Sequence, residues 1–129
     1  MSTHNIRLAG PWELHLEGSE PTRVQLPLQL RTTDNACRLI RKFHRPSGLT
    51  AECQVRIIAT TSIMPLTVLI NGTPAEPSAV SKEKQSCKAT YDVTTQLKEF
   101  NLLSIQPTAG TASTVLAVVI EIESNDTSN

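Results

Sequence analysis

The side chains best suited to chemistry in this sequence lie in one strand-like segment near its start. Glu13, His15 and Glu17 alternate, so an extended backbone would point all three to one face. Carboxylates and imidazoles bind metal ions, but a solvated strand face is the commoner use of such a pattern. His4 and His44 are distant from His15 in the sequence and complete no metal-binding motif. We therefore predict no metal site and no cofactor.

Motifs for catalysis are missing as well. The sequence contains no Gly-x-Ser-x-Gly, no His-Glu-x-x-His and no glycine-rich loop that could bind phosphate. Paired carboxylates can hydrolyse glycosides, but they must face each other across a cleft, which sequence spacing does not establish. We predict that the chain is not an enzyme.

The three cysteines are an odd number and show no Cys-x-x-Cys spacing. Cys37, Cys53 and Cys87 are best interpreted as free, mostly buried thiols. A disulfide between Cys37 and Cys53 stays open, because it requires the two Cα atoms to approach within about 7 Å.

The charge balance gives no sign of a charged partner. Twelve basic and twelve acidic residues cancel, so no net field attracts nucleic acid or an anionic membrane. The basic residues between positions 38 and 45 would be divided between the two faces of a strand. No apolar run approaches the roughly 20 residues of a membrane span, and the first residues do not resemble a secretory leader. These features predict a soluble, cytoplasmic chain that binds neither nucleic acid nor membrane.

Alternating apolar and polar residues predict strands over 12–16, 23–30, 53–59 and 115–122. Pro27 cannot donate to a strand ladder, so it places the second of these segments at an edge or in irregular extended chain. The last segment is apolar on both faces, which is typical of a central strand covered on both sides. In it, strict alternation places Leu116 on the same face as Val118.

Turn residues separate these strands at short intervals. In "TVLINGTPAEP", Asn71 and Gly72 both tolerate positive φ and predict a tight reversal. Residues 91–100 predict a single helical turn, which Asp92 would cap. The pattern indicates an all-β fold, an antiparallel β-sandwich with one short helical turn. We expect one domain over residues 1–122 and a polar C-terminal tail over residues 123–129.

Six short motifs then occur in an order that is similar to a known domain. They are "LAGPW" (8–12), "VQLP" (24–27), "RKFHRP" (41–46), "VLING" (68–72), "YDVTTQL" (91–97) and "NLLSI" (101–105). The ordered set resembles the N-terminal sugar-binding domain of glycoside hydrolase family two, of the β-galactosidase and β-glucuronidase type. That domain is a jelly-roll sandwich with a galactose-binding-domain-like fold. The resemblance implies a stand-alone accessory domain, because the catalytic glutamates of the family lie on a separate barrel.

The sequence departs from that domain between the Asn-Gly turn and "YDVTT". A His-x-Gly-Gly-Tyr-like stretch is usual there, whereas residues 73–91 contain no glycine pair and no aromatic residue before Tyr91. We expect Trp12 and Phe43 to pack in the core, which leaves Tyr91 and Phe100 as aromatic residues that could contact a sugar.

We accordingly predict a non-catalytic carbohydrate-binding-like or interaction module, with its ligand surface on the loops around residues 71–91. The candidate ligand-binding residues are Asn71, Glu76, Tyr91 and Arg41. For Arg41, an inward guanidinium that pairs with a hydrogen-bond acceptor or a carboxylate is the structural alternative. The alternative for the whole protein is a structural or assembly protein without a sugar ligand, which forms a homo-oligomer through a sheet face or an edge strand.

Overall fold

A computed structural model describes residues 2–8, 10–16, 18–31, 37–62, 66–107 and 112–124. In these ranges the secondary structure consists of strands, and no helix is present. The strands are β1 (Ser2–Arg7), β2 (Trp12–Leu16), β3 (Thr22–Val24), β4 (Leu28–Arg31), β5 (Cys37–His44), β6 (Cys53–Thr61), β7 (Leu66–Ile70), β8 (Thr73–Pro74), β9 (Pro77–Lys82), β10 (Cys87–Asp92), β11 (Phe100–Pro107) and β12 (Ala112–Ser124).

The described residues form two six-stranded sheets, and their strand pairs are antiparallel. The first sheet has the order β1-β12-β6-β10-β9, with β4 also pairing to β12. The second sheet has the order β3-β2-β5-β11-β7-β8. The predicted antiparallel β-sandwich is therefore confirmed, because both sheets contribute to one shared core.

The core follows from the alternation of side chains along the strands. In β6, Cys53, Val55, Ile57 and Ala59 are all buried, and the residues between them are only partly so. Trp12 has no exposed surface, and its indole Nε1 donates to the carbonyl oxygen of Leu8 at 2.6 Å. The single polar atom of this large side chain thus has an acceptor inside the core, as a buried indole requires.

Strand β12 departs from the strict alternation that its sequence predicts. Its register against β6 shifts between Val115 and Ala117, which is the signature of a β-bulge. The extra residue reverses the phase, so Val115 and Val118 are both buried whereas Leu116 is 38% exposed. The prediction that Leu116 shares a face with Val118 is wrong for this reason. β12 pairs with β6 on one side and with β1 and β4 on the other.

The Asn-Gly reversal is confirmed as a two-residue hairpin turn. Ile70 pairs with Thr73, and the two residues between them, Asn71 and Gly72, have φ angles of 54° and 83°. Positive φ at both positions is the requirement of a type I′ turn, which matches the twist of the flanking strands. The turn fixes where β7 ends and therefore where Asn71 lies relative to β11.

The predicted helical turn is one closed turn that does not continue into a helix. The amide of Gln96 donates to the carbonyl oxygen of Val93 at 2.9 Å. Asp92 Oδ1 caps this turn by accepting from Thr94 Oγ1 at 2.6 Å and from Thr94 N at 3.0 Å. These hydrogen bonds, from the side chain first and the backbone second, hold the pKa of Asp92 below its ordinary value.

The segment around Pro27 changes sheets, as an irregular stretch allows. β3 ends at Val24 and pairs with β2 in the second sheet, whereas β4 begins at Leu28 and pairs with β12 in the first. At the other end of the chain, β12 continues through Ser124 and so includes the first two residues of the predicted tail. Residues 125–129 of that tail lie outside the described ranges.

The three cysteines are buried and free. Cys37 lies in β5 of the second sheet and Cys53 in β6 of the first, so the two strands do not pair. Burial raises the pKa of Cys37, which disfavours its thiolate. The burial of all three side chains, without a disulfide, agrees with the interpretation of the cysteines as free, buried thiols.

Candidate functional site

A largely apolar groove lies at one end of the second sheet, where the last residue of β5 meets the first residue of β11. Its volume is about 410 Å³, within the usual range for small-molecule sites. The lining residues are Lys42, Phe43, His44, Asn71, Phe100, Asn101 and Leu102. They come from β5, β11 and the turn after β7, three segments that are far apart in the sequence.

An exposed aromatic ring forms one wall of this groove. Phe100 is 69% exposed and lies directly opposite His44 in the strand pairing. The two rings are tilted by 59°, with centroids 4.6 Å apart, a separation at which aromatic rings attract each other. Next along the strands, Leu102 is opposite Lys42 and is 37% exposed. This part of the sheet therefore presents apolar surface to solvent, with the cationic side chain of Lys42 beside it.

The floor of the groove is fixed by a buried asparagine. Asn101 is 3% exposed, and its Oδ1 accepts from the amide of Lys98 at 2.8 Å and from Nδ2 of Asn71 at 3.0 Å. Its own Nδ2 donates to the carbonyl oxygen of Lys98 at 2.8 Å, with a longer contact of 3.5 Å to that of Phe43. The side chain thus ties β11 to the segment before it and to the turn after β7.

Asn71 completes the same network and has little capacity left for a ligand. Its Nδ2 donates to Asn101 and, at 3.0 Å, to the carbonyl oxygen of Gln96, while its Oδ1 accepts from the amide of Leu102 at 2.9 Å. Both amide hydrogens are therefore used, and one lone pair of Oδ1 remains. Asn71 lines the groove as predicted, but its main contacts are structural.

Two of the other predicted site residues lie away from the groove. Tyr91 is 1% exposed and packs in the core, so its ring is not a surface platform, and burial raises the pKa of its hydroxyl. Glu76 is exposed between β8 and β9 and does not line the groove. Tyr91 is buried because it shares the inward face of β10 with Cys87 and Ala89. The prediction missed this burial because it assigned the residues before Tyr91 to a loop.

Arg41 lies at a second, smaller pocket rather than at the groove. Its Nη1 donates to the carbonyl oxygen of Lys42 at 2.7 Å, and its Nε is buried without a hydrogen-bond partner among the described residues. The alternative prediction for Arg41 was an inward guanidinium paired with a hydrogen-bond acceptor or a carboxylate. A backbone carbonyl accepts from one of its donors, but none of the ion pairs in the described ranges includes Arg41. The structure does not bring the four predicted residues together.

Sequence reasoning missed His44, Lys42 and Leu102 as residues of one surface. The sequence contained a signal for this surface, because residues 42 and 44 are two apart and share one strand face, as do residues 100 and 102. Their proximity depends on the register of β5 against β11, which pairs residues more than fifty positions apart in sequence. Phe43, between Lys42 and His44 in β5, borders the groove as well but is half-buried against the core, as expected.

The remaining candidates are the Glu13, His15 and Glu17 side chains, considered as metal ligands, and a membrane-spanning segment. His15 Nε2 lies 3.2 Å from Glu13 Oε1, and Glu17 is outside the described ranges. Across the residues with described positions, no group of three or more His, Cys, Asp or Glu side chains is arranged to hold a metal ion. The same part of the chain contains no helix long and apolar enough to cross a membrane.

Comparison with known proteins gives a likeness of fold. No family profile matches the sequence, and no curated protein matches it. Among solved structures, the chain is similar to the FMN-binding beta-glucuronidase from Facaelibacterium prausnitzii L2-6, with a TM-score of 0.74 and 18% sequence identity. The match covers 95% of this chain and 23% of the β-glucuronidase chain. The protein therefore has the fold of one part of a much longer glycosidase.

Proposed function

We propose that this protein is a non-catalytic module that binds a carbohydrate ring in the groove beside Phe100. The observation that carries the proposal is the 69% exposed ring of Phe100, which borders a groove of about 410 Å³. Leaving a large apolar ring in water forgoes the roughly 1.5–3 kcal/mol that burial of such a side chain provides. Because Phe100 lines a groove, we infer that a bound ligand covers its ring.

The chemistry of the groove suits a sugar. The apolar face of a pyranose ring can stack on Phe100, and aromatic contacts provide about 0.5–1.5 kcal/mol beyond the area they bury. Millimolar binding requires about 4 kcal/mol, so polar contacts must supply the remainder. Lys42, His44 and Asn71 line the groove and carry polar groups, which we infer form the hydrogen bonds to the sugar hydroxyl groups.

The fold supports the same proposal by analogy. A domain with the fold of part of a β-glucuronidase fits a galactose-binding-domain-like accessory role beside carbohydrate-active enzymes. Analogy of fold does not identify a ligand, so the proposal depends on the groove. In this view the ligand surface is the end of the second sheet rather than residues 77–91, which were expected to form a loop but form β9, β10 and the connection between them.

Titration of the ¹⁵N-labelled chain with a panel of neutral mono- and oligosaccharides tests the proposal. We expect saturable amide shifts at residues 42–44 and 100–102 with at least one sugar. Phe100→Ala should abolish the saturable shifts, whereas Leu16→Ala should leave them unchanged, because Leu16 is a 39% exposed apolar residue outside the groove. A panel that leaves these amides unshifted at tens of millimolar, or equal binding by both variants, would contradict the proposal.

A second candidate function is self-assembly through an edge strand. Every residue of β9 is exposed, and among the described strands β9 pairs with β10 alone. Val80, in the middle of β9, is 48% exposed. An open edge can pair with a second copy, although Lys82 is the kind of residue that discourages such pairing. Light scattering during size-exclusion chromatography distinguishes the candidates, since a mass of 14.1 kDa at high micromolar concentration contradicts self-assembly.

A further inference from the structure

A small pocket lies where β2 separates from β5. The pairing between these strands ends at Glu13 and Ile40, so the following residues of β5 have no β2 partner. The volume of the pocket is about 170 Å³. Its lining residues are Pro11, Glu13, Arg23, Ile40, Arg41 and Lys42.

Positive charge is concentrated at this pocket, although the chain as a whole has no net charge. Three of its lining residues are cationic, Arg23, Arg41 and Lys42, against one carboxylate, Glu13. The oxygen Oε1 of Glu13 already lies 3.2 Å from Nε2 of His15. The ion pairs formed within the described ranges involve none of the three cations. Their charges are therefore not neutralised by a neighbouring carboxylate there.

The guanidinium of Arg41 is also under-used as a hydrogen-bond donor. Of its five N–H groups, one Nη1 donor goes to the carbonyl oxygen of Lys42 at 2.7 Å. Nε is buried and has no acceptor in the part of the chain that the structure describes. Buried polar groups in proteins are nearly always hydrogen-bonded. The unused N–H donors of Arg41 and the unpaired charges beside it are the kinds of group that bind an anion.

We propose that this pocket binds a small oxyanion, as a free ion or as the phosphate, sulfate or carboxylate group of a larger molecule. Arg41 would supply planar N–H donors, for which guanidinium groups are suited, while Arg23 and Lys42 add charge. The volume is well below the roughly 300–1,000 Å³ of pockets for whole drug-sized ligands. It therefore suits a single anionic group. Lys42 lines both this pocket and the Phe100 groove, so the two sites share one wall.

Titration with inorganic phosphate, sulfate or acetate at constant ionic strength, balanced with chloride, tests this proposal. We expect saturable shifts of the backbone amides of residues 40–42 and of the Nε–H signal of Arg41 with at least one of the three anions. Phosphate or sulfate as the better ligand would identify a tetrahedral group, and acetate a carboxylate. Shifts that rise linearly, without saturation, for all three anions would overturn the proposal.

Two arginine variants and one control complete the test. Loss of a charge-assisted hydrogen bond typically weakens binding by about tenfold or more, and we expect that change for Arg41→Gln. Arg23→Gln removes one of the charges at the pocket and should weaken binding by a smaller factor. Arg23 is exposed, so its variant leaves the fold intact even if Arg41→Gln unfolds the domain. Arg45→Gln removes a nearby cation that does not line the pocket and should bind as the unaltered chain does. Equal affinity in Arg23→Gln and Arg45→Gln would refute the site.

The outcome is independent of carbohydrate binding. Neutral sugars test the Phe100 groove, and inorganic anions test the arginine pocket, so one site can fail while the other binds. Phe100→Ala should retain anion binding, and Arg23→Gln should retain binding of a neutral sugar, because neither residue lines the other site.

Discussion

Replacement of Asn101 by alanine tests the network that fixes the floor of the groove. The side chain is 3% exposed and makes three hydrogen bonds of 3.0 Å or shorter, to Lys98 N, Lys98 O and Asn71 Nδ2. Each bond contributes about 1 kcal/mol net, and buried groups left without partners add a further penalty. We expect Asn101→Ala to lower the free energy of unfolding by about 3–4 kcal/mol.

That loss is a large part of the roughly 5–15 kcal/mol that stabilises an ordinary domain. Urea unfolding followed by circular dichroism measures it, because the midpoint falls while the slope stays constant if only stability changes. Asn5→Ala is the matched control, since Asn5 is exposed on β1 and its replacement should change stability by no more than about 0.5 kcal/mol.

A double-mutant cycle isolates the contact between the two asparagines. Asn71→Gly removes the side chain of Asn71 and retains the positive φ of 54°, which alanine would strain. The cycle with Asn101→Ala should give a coupling energy of about 1 kcal/mol for the bond of 3.0 Å. Strictly additive effects, or an Asn101→Ala chain within about 0.5 kcal/mol of the unaltered one, would refute the reasoning.

Two further predictions concern the core and the capped turn. Trp12→Ala should lower the free energy of unfolding by about 3–5 kcal/mol in urea unfolding, because a fully buried ring is lost together with its hydrogen bond to Leu8; an equally stable variant would mean that the ring does not pack in the core. Asp92 has a folded-state pKa below the ordinary 3.8, so its charge stabilises the fold above that pH and the contribution is lost as the pH falls through the folded value. Asp92→Asn should be less stable than the unaltered chain at pH 7 in thermal unfolding, and the difference should shrink as the pH falls below 3.8; a stability difference that does not depend on pH would contradict this cause.

Local features of the fold were predictable from single segments. The alternation of β6 places Val55 and Ile57 on the buried face without reference to any other strand, because successive side chains of a strand point to opposite faces. The hairpin turn was predictable for a similar reason, since Asn71 and Gly72 adopt positive φ more readily than other residues. The capped turn after Asp92 also depends on neighbours in the sequence.

The bulge in β12 and the candidate sites were not predictable in this way. Leu116 is exposed because β12 shifts register against β6, and nothing in its own segment signals the extra residue. Tyr91 and Phe100 are both aromatic residues near the ends of strands, yet one is 1% exposed and the other 69%. Which face of a strand is covered depends on the sheet packed against it, which single-segment patterns do not specify.

The sequence by itself therefore determined an all-β chain, strands such as β2 and β6, the hairpin turn and a buried Trp12. Only the tertiary structure decided that Phe100 lies opposite His44 and that Arg41 and Arg23 line one pocket. The physical reason is that alternation and turn preferences act over a few residues. Strand register and sheet packing join residues far apart in the chain, and they are decided by the burial and hydrogen bonding of the whole domain.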